Sequence, residues 1–119
     1  MMSKHPIVHI EFSAQDREAA AQFYADVFGW KTTQMPEMNY ATFESEEGRG
    51  GGFNPVSEQN PLGTVVVYIG TKDIETTLES IEDNGGKTVI PKSEIPDMGW
   101  FAMFTDPTGN LVGLYTEKN

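Results

Sequence analysis

The order of strands and helices repeats within the chain, and this repeat constrains the fold more than any other feature of the sequence. Shifting the sequence by 57 residues places Asp16 on Asp73 and Gly29 on Gly86. Each aspartate precedes a helical pattern and each glycine follows one, as expected for residues that begin and end helices. The repeat predicts two modules of the order β-α-β-β-β, and two ordinary α+β units with an accidental likeness are the alternative.

The first module opens with a strand of alternating polarity. In the segment IVHIEF, Val8, Ile10 and Phe12 alternate with His9 and Glu11. This period of two is typical of a strand with one apolar and one polar face. Because the apolar face must cover the helices, we expect His9 and Glu11 to project from the opposite face of the sheet.

The helix of the first module is apolar at three-to-four spacing. Ala20, Phe23, Val27 and Phe28 recur at this interval, and Trp30 follows the predicted end of the helix. We expect Phe23, Phe28 and Trp30 to pack in the core. Short strands are predicted at the segments WKTTQ, YATFE and GGFNPV.

The second module repeats this order and completes a single predicted domain over residues 1–119. A strand at TVVVYIG precedes a helix with Ile74, Leu78 and Ile81 on one face, and the segment NGG ends that helix. Three strands are predicted at KTVI, WFAMFT and NLVGLYT, with DPTG as the tight turn between the last two. The modules span about residues 6–56 and 64–119, joined by a linker at about 57–63.

Charge and composition exclude several classes of partner. The 119 residues carry a formal net charge of −10 and contain no cysteine. A chain this acidic repels phosphate backbones and anionic lipid, so nucleic acid and membrane surfaces are not expected partners, whereas a cationic ligand would be attracted. Without cysteine there are no disulfides, thiolate nucleophiles or cysteine metal sites. The apolar run at the N-terminus is too short for a signal peptide or a membrane span, so we expect a cytoplasmic protein.

Four segments spread over the chain resemble a known superfamily. They are the strand HIEF, the helix DREAAAQFYADVFGW, the stretch GGKTVIPKSEIPDMGWFAMF, and DPTGNLVGLY near the end. Together they resemble the vicinal-oxygen-chelate superfamily, which includes glyoxalase I, extradiol dioxygenases and bleomycin- and fosfomycin-resistance proteins. The chain is most similar to the short glyoxalase-like members of unassigned activity. The resemblance implies an α+β fold in which two βαβββ modules form a curled mixed sheet around a cleft.

The resemblance also implies where metal ligands would stand. By the family pattern, His9 matches a first ligand, but the opposing strand offers Val66, or Thr64 if a bulge shifts it. The closing strand offers Gly113 where a carboxylate is expected, and the segment GRGGGF offers only glycines and Arg49. A catalytic cation needs about three imidazole or carboxylate ligands. We therefore expect no metal and no other cofactor, with a divalent metal as the alternative.

The same resemblance assigns the lining of the cleft. His9 and Glu11 are the candidate catalytic residues, as carriers of a proton, and they also belong to the candidate substrate-binding set. Trp100 opens a strand after a loop and is expected either at the rim of the pocket or in the core, and Phe53 and Tyr40 are further candidates of this kind. The remaining candidates for substrate binding are Tyr68, Leu111, Gly113 and Tyr115.

Three functions remain open at this point. The first is small-molecule binding in the cleft without the usual metal, including sequestration of a cationic drug. The second is an enzyme, either metal-dependent or acting by acid–base chemistry through His9 and Glu11; classical metal-dependent glyoxalase I activity is not expected. The third is an interaction domain with a vestigial cleft. Family members of this length commonly form two-fold dimers, so a homodimer is expected, side by side or with exchanged modules.

Overall fold

The computed structural model describes residues 5–45 and 48–118, and within them the predicted element order occurs twice. Each half of the chain folds as β-α-β-β-β, so the α+β fold class with two βαβββ modules is confirmed. A short 3₁₀ turn follows β2. The elements are β1 (Ile7–Ala14), α1 (Arg17–Phe28), β2 (Lys31–Met35), β3 (Tyr40–Glu44), β4 (Gly51–Pro55), β5 (Val65–Gly70), α2 (Ile74–Asp83), β6 (Lys87–Ile95), β7 (Gly99–Thr105) and β8 (Leu111–Glu117).

The described residues divide into two compact units. The first unit is His9–Val66, and the second unit combines residues 5–8 with residues 67–118. In the first unit the strand order is β2-β3-β4-β1, with β1 and β4 parallel and the other pairs antiparallel. In the second unit the order is β5-β8-β7-β6, again with one parallel pair, β5 and β8. Each sheet is therefore mixed, and its parallel pair consists of the first and last strands of its module.

Both helices begin and end where the sequence predicts. The Asp16 side chain accepts a hydrogen bond of 3.0 Å from the backbone N–H of Ala19, and the Asp73 side chain accepts one of the same length from Thr76. Helix α1 ends at Gly29, whose φ of 73° lies in the left-handed region that glycine adopts without steric cost. The predicted aspartate caps and the glycine ending α1 are confirmed. Neither helix is long and apolar enough within the described residues to cross a membrane.

The core of the first unit lies between α1 and the sheet. Trp30 stacks on Phe43 with ring centroids 4.5 Å apart, and on Tyr24 at 5.0 Å, which confirms Trp30 as a core residue. The assignment of Phe23 and Phe28 to the core is wrong, since they are 55% and 59% exposed. Helix α1 carries a second apolar face made of small alanines and Tyr24, and that face packs on the sheet. Small side chains let a helix approach closely, and spacing alone cannot choose between two apolar faces. The buried cluster consists of Ala14, Ala21, Ala41, Phe43 and Phe53.

The second unit has its own core and a longer strand than predicted. Ile74 of α2 is buried against Ala102, Phe104 and Leu114 of the sheet. Strand β6 continues past the predicted KTVI segment to Ile95, because its pairing with β7 resumes after two register shifts. These shifts are β-bulges, which insert unpaired residues without ending a strand. The predicted turn after β7 closes with a hydrogen bond of 2.9 Å from Gly109 N to Asp106 O.

Candidate functional site

A chain of hydrogen bonds connects three polar side chains on the sheet of the first unit. The Tyr40 hydroxyl, from β3, donates to Glu11 Oε2 at 2.7 Å. The same hydroxyl lies 2.7 Å from Nε2 of His9. The two β1 side chains are themselves 3.9 Å apart at their nearest atoms. Because residues two apart on a strand share a face, β1 presents His9 and Glu11 together, and Tyr40 links them.

The donors and acceptors in this chain can be assigned from its chemistry. A tyrosine hydroxyl has one proton, and in this structure it is donated to Oε2 of Glu11. The oxygen of Tyr40 must then accept a proton from Nε2 of His9, which places the imidazole proton on Nε2 in the neutral ring. The chain runs from His9 through Tyr40 to Glu11. A further proton on the ring would therefore be added at Nδ1.

A glycine on β4, the strand between β1 and β3, leaves room for these hydrogen bonds. In the sheet, Gly52 of β4 pairs with Glu11 on one side and with Thr42 of β3 on the other. The Tyr40 ring reaches across β4 above Gly52, and a Cβ atom at that position would lie 2.0 Å from the tyrosine hydroxyl oxygen. Such a contact is impossible for a real Cβ. Gly52 is thus required by the close approach of a side chain.

The hydrogen-bonded side chains of His9, Tyr40 and Glu11 are partly shielded from water. Glu11 is buried, while the His9 side chain remains 31% exposed. Burial lowers the pKa of His9 below its usual value, because removing the imidazole from water disfavours its charged form. At neutral pH His9 is therefore an uncharged base next to a buried carboxylate.

The second unit contains a related pairing of tyrosine and glycine. Tyr68 of β5 pairs with Gly113 of β8 in the same way that Glu11 pairs with Gly52, across the parallel strands of the module. A Cβ atom at Gly113 would lie 2.4 Å from the Tyr68 ring, so this ring covers the glycine. In each unit, a tyrosine ring fills the space that a side chain of the closing strand would occupy.

The other predicted site residues divide between the two faces of the second sheet. Strand alternation places Leu111, Gly113 and Tyr115 together, and the Tyr68 ring over Gly113 lies on that same face. The Tyr115 hydroxyl donates to Met98 O at 3.0 Å, and burial raises the pKa of Tyr115. Trp100 lies on the opposite face, packed against the core cluster that includes Ile74 and Leu114.

The described side chains do not fit the metal site that the family resemblance implies. Within residues 5–45 and 48–118, no group of three or more His, Cys, Asp or Glu side chains is placed to hold a metal ion. The closing strand has Gly113 where the resemblance implies a carboxylate, and the segment GRGGGF contributes Gly52; a tyrosine ring covers each of these two glycines. Nε2 of His9 is directed to Tyr40 rather than to a ligand position.

Sequence reasoning named Tyr40 only as a possible lining residue and missed its role as the link between His9 and Glu11. The available signal was the glycine run around Gly52, because glycine inside a strand often marks a close approach by another group. The sequence does not say which side chain approaches, since Tyr40 is 29 residues from Glu11. Phe53, the other residue of this kind, is almost completely buried in the core of the first unit.

Comparisons with known proteins agree with the architecture. The sequence profile described as Glyoxalase/Bleomycin resistance protein/Dioxygenase superfamily matches residues 6–114. A glyoxylase-like domain-containing protein of Didymella fabae is 31% identical over 115 residues, which cover 90% of each chain. The CFP32 protein of Mycobacterium tuberculosis is 28% identical over 115 residues, covering 89% of this chain but only 43% of CFP32. The chain therefore spans less than half the length of that relative.

A solved structure with high similarity is a protein of Bacillus halodurans C-125 described as hypothetical protein BH1468. It superposes with a TM-score of 0.73 at 18% identity, over 98% of this chain and 97% of that one. At this level of identity the match establishes a shared fold.

Proposed function

We propose that this chain, which belongs to the glyoxalase/bleomycin resistance protein/dioxygenase superfamily, binds a small oxygenated metabolite beside His9 and transfers a proton on it without a metal ion. The observation that supports this proposal is the continuous hydrogen-bonded chain of His9, Tyr40 and Glu11, with two links of 2.7 Å each. General-base histidines are commonly oriented by a hydrogen bond from one ring nitrogen, and here Tyr40 makes that bond and is itself bonded to Glu11.

The proton transfer would proceed at Nδ1 of His9. Neutral His9 accepts a proton there from a carbon acid next to a carbonyl group of the ligand, which leaves an enolate and an imidazolium. The positive charge on the ring is stabilised by Glu11, whose carboxylate lies 3.9 Å from Nε2 and is held by Tyr40. Return of a proton from the imidazolium to the same carbon restores neutral His9 and the ligand, and exchange of the imidazolium proton with solvent before that return replaces the α-proton by a solvent proton.

The donor set of the site supports a mechanism of this kind over metal catalysis. Gly113 stands where the superfamily pattern implies a carboxylate ligand and the Tyr68 ring covers it, whereas His9 and Glu11 can take part in acid–base chemistry. The lowered pKa of His9 keeps the base unprotonated at neutral pH. A ligand with a carbonyl and a hydroxyl group would provide both the acidic C–H bond and polar atoms for recognition.

The test is exchange of α-protons in D₂O, followed by proton NMR, with hydroxyacetone, dihydroxyacetone and methylglyoxal as probes and excess chelator present. We expect His9→Gln to reduce the exchange rate by at least about 100-fold, the usual lower range for loss of a general base. Tyr40→Phe should reduce it by a smaller factor. Tyr24→Phe is the matched control, because it removes a tyrosine hydroxyl from the same unit and leaves the His9–Tyr40–Glu11 hydrogen bonds unchanged.

Two results would exclude the proposal. One is an exchange rate in His9→Gln equal to that of the unmodified chain. The other is exchange that chelator abolishes and an added divalent cation restores, since the reaction would then depend on a metal.

A second candidate function is binding of a cationic compound without chemistry, and the acidity of the chain favours it. The net charge of −10 and the buried carboxylate of Glu11 both attract cations. A thermal-shift screen of matched cationic and anionic compounds separates the candidates, because a binder raises its melting temperature without consuming the ligand. Failure of every cationic compound to shift the melting temperature would remove this candidate.

Homodimer formation is also part of the proposal. The exposed apolar side chains of α1, Phe23, Val27 and Phe28, support it, because contiguous exposed apolar groups mark interaction surfaces. Light scattering coupled to gel filtration tests it. A mass of one chain, unchanged at the highest accessible concentration, would contradict it.

A further inference from the structure

We propose that the second unit binds a planar aromatic acid in a separate pocket beside Trp100, with Lys72 and Lys92 recognising its carboxylate. The pocket has a volume of about 860 Å³ and lies within the second unit. Volumes of about 300–1,000 Å³ are typical of sites for small organic ligands. The hydrogen-bonded chain of the first unit contributes no residue to this pocket, so this inference does not depend on the proposed proton transfer.

The aromatic surface of the pocket is Trp100. Its inner side packs against the core cluster around Ile74, yet the residue is only half-buried and lines the pocket. Nζ of Lys92 lies 5.2 Å from the ring centroid, within the range in which an ammonium group interacts with an indole face. A tryptophan held by the core on one side offers a rigid surface for a flat ligand, and the flexible Lys92 side chain over the ring can move aside to contact that ligand's charge.

Two register shifts in β6 precede the part of the strand that faces Trp100. They lie on either side of Ile90, and the second covers Pro91 and Lys92 before pairing resumes at Ser93. Proline cannot donate a ladder hydrogen bond, which accounts for a bulge at this point. After the bulge Glu94 pairs with Trp100, so Lys92 lies two residues away on the same face. Bulges commonly redirect side chains next to binding sites.

The two lysines are available to a ligand. Lys72 makes no ion pair with any carboxylate in residues 5–45 and 48–118. Lys92 makes one, at 3.8 Å from Glu75, whose side chain is 77% exposed. Exposed pairs of this kind contribute little, so an anionic ligand can compete for Lys92 at small cost. The pocket lining includes one carboxylate, Glu117, against these two ammonium groups.

The hydroxyl groups of the pocket wall are already engaged. Oγ1 of Thr116 donates to Thr71 O at 2.7 Å, and Oγ1 of Thr71 lies 2.9 Å from Oγ1 of Thr77. These bonds occupy the hydroxyl groups, so the two lysines are the lining groups that can pair with an anion. Specific recognition therefore depends on the two ammonium groups and the indole, which together select an aromatic ring bearing a negative charge.

The experiment uses three probes with the same naphthalene ring and different charge: 1-naphthoate, 1-naphthalenemethanol and 1-naphthylmethylammonium. Binding is measured by calorimetry and by the indole N–H resonances of the two tryptophans in ¹H–¹⁵N spectra. Trp30→Phe assigns the Trp100 resonance. The test variant is the double substitution Lys72→Met with Lys92→Met, and the matched control is Lys87→Met, an exposed lysine on β6 outside the pocket.

We expect 1-naphthoate to shift the Trp100 resonance saturably and to bind more tightly than the alcohol or the ammonium probe. The double variant should bind it at least about tenfold more weakly, as expected for loss of charge-assisted contacts, while Lys87→Met stays within about twofold. A Trp100 resonance that does not move at millimolar 1-naphthoate would overturn the inference. So would equal affinities for the three probes, or a double variant that binds like the unmodified chain.

Discussion

Replacing Tyr40 by phenylalanine is the sharpest test of the polar chain in the first unit. The substitution keeps the ring over Gly52 and removes only the hydroxyl group. That hydroxyl donates to Glu11 at 2.7 Å and lies at the same distance from His9. Glu11 is buried, and the hydrogen bond from Tyr40 offsets part of the free-energy cost of removing its carboxyl group from water. Loss of this donor should therefore destabilise the folded state.

The expected magnitude follows from these two contacts. A hydrogen bond to a charged group contributes about 1.5–3 kcal/mol, and a neutral one about 1 kcal/mol. We expect Tyr40→Phe to lower the free energy of unfolding by about 2–3 kcal/mol. For a chain of 119 residues the entropy of unfolding is about 0.25 kcal/mol/K, so the melting temperature should fall by about 8–12 °C.

The assay is urea unfolding followed by circular dichroism, combined with a double-mutant cycle. Tyr40→Phe, Glu11→Gln and the double variant give the coupling energy between the two side chains. Tyr24→Phe provides the control, since it removes a hydroxyl group from the core aromatic cluster while keeping the ring. It should cost less than about 0.5 kcal/mol, the usual range for a substitution that breaks no buried hydrogen bond.

The reasoning fails if Tyr40→Phe costs no more than Tyr24→Phe and the coupling with Glu11 is zero within error. Such a result would mean that other groups stabilise Glu11, and that the hydrogen bonds of Tyr40 do not contribute to the free energy of unfolding.

Four further outcomes are expected. Gly52→Ala should destabilise the fold by about 3 kcal/mol in urea unfolding, because its Cβ would displace the Tyr40 ring and break both hydrogen bonds; a neutral effect would contradict the ring placement. The lowered pKa of His9 means that the unfolded chain binds more protons, so stability should fall as pH decreases from the unfolded value of about 6.5 through the folded pKa, and His9→Gln should lack this dependence. NMR titration should place the pKa of Asp106 at about 2, since Asn110 and Thr108 donate to its carboxylate, and the associated stability should be present above the unfolded value and be lost as pH falls through about 2; an unshifted titration would argue against the turn. Asp16→Ala should cost about 1 kcal/mol through loss of the α1 cap, and an unchanged melting temperature would show that water replaces it.

Local signals predicted most of the fold. Aspartates at two helix starts and the glycine that ends α1 act within one turn of chain, so their effects could be read from the sequence. Alternation placed His9 and Glu11 on one face of β1 for the same reason. Local spacing failed for α1, where two faces are apolar and only packing against the sheet decides that Tyr24 is inside and Phe23 outside.

The candidate sites depend on contacts between residues far apart in the chain. Tyr40 joins His9 and Glu11 because β3, β4 and β1 are neighbours in the sheet and Gly52 leaves the space above β4 open. Periodicity indicates which face a side chain takes, but not which strand lies beside it or how far a ring extends across the next strand.

The sequence by itself determined the two βαβββ modules, the helix ends and the face from which His9 and Glu11 project, because each follows from backbone preferences within a few residues. Only the tertiary structure decided that a tyrosine connects this histidine to this carboxylate, and that Lys92 lies over Trp100. The physical reason is that hydrogen bonds and ring contacts act over a few ångströms in space, and strand pairing brings together groups that the chain itself separates.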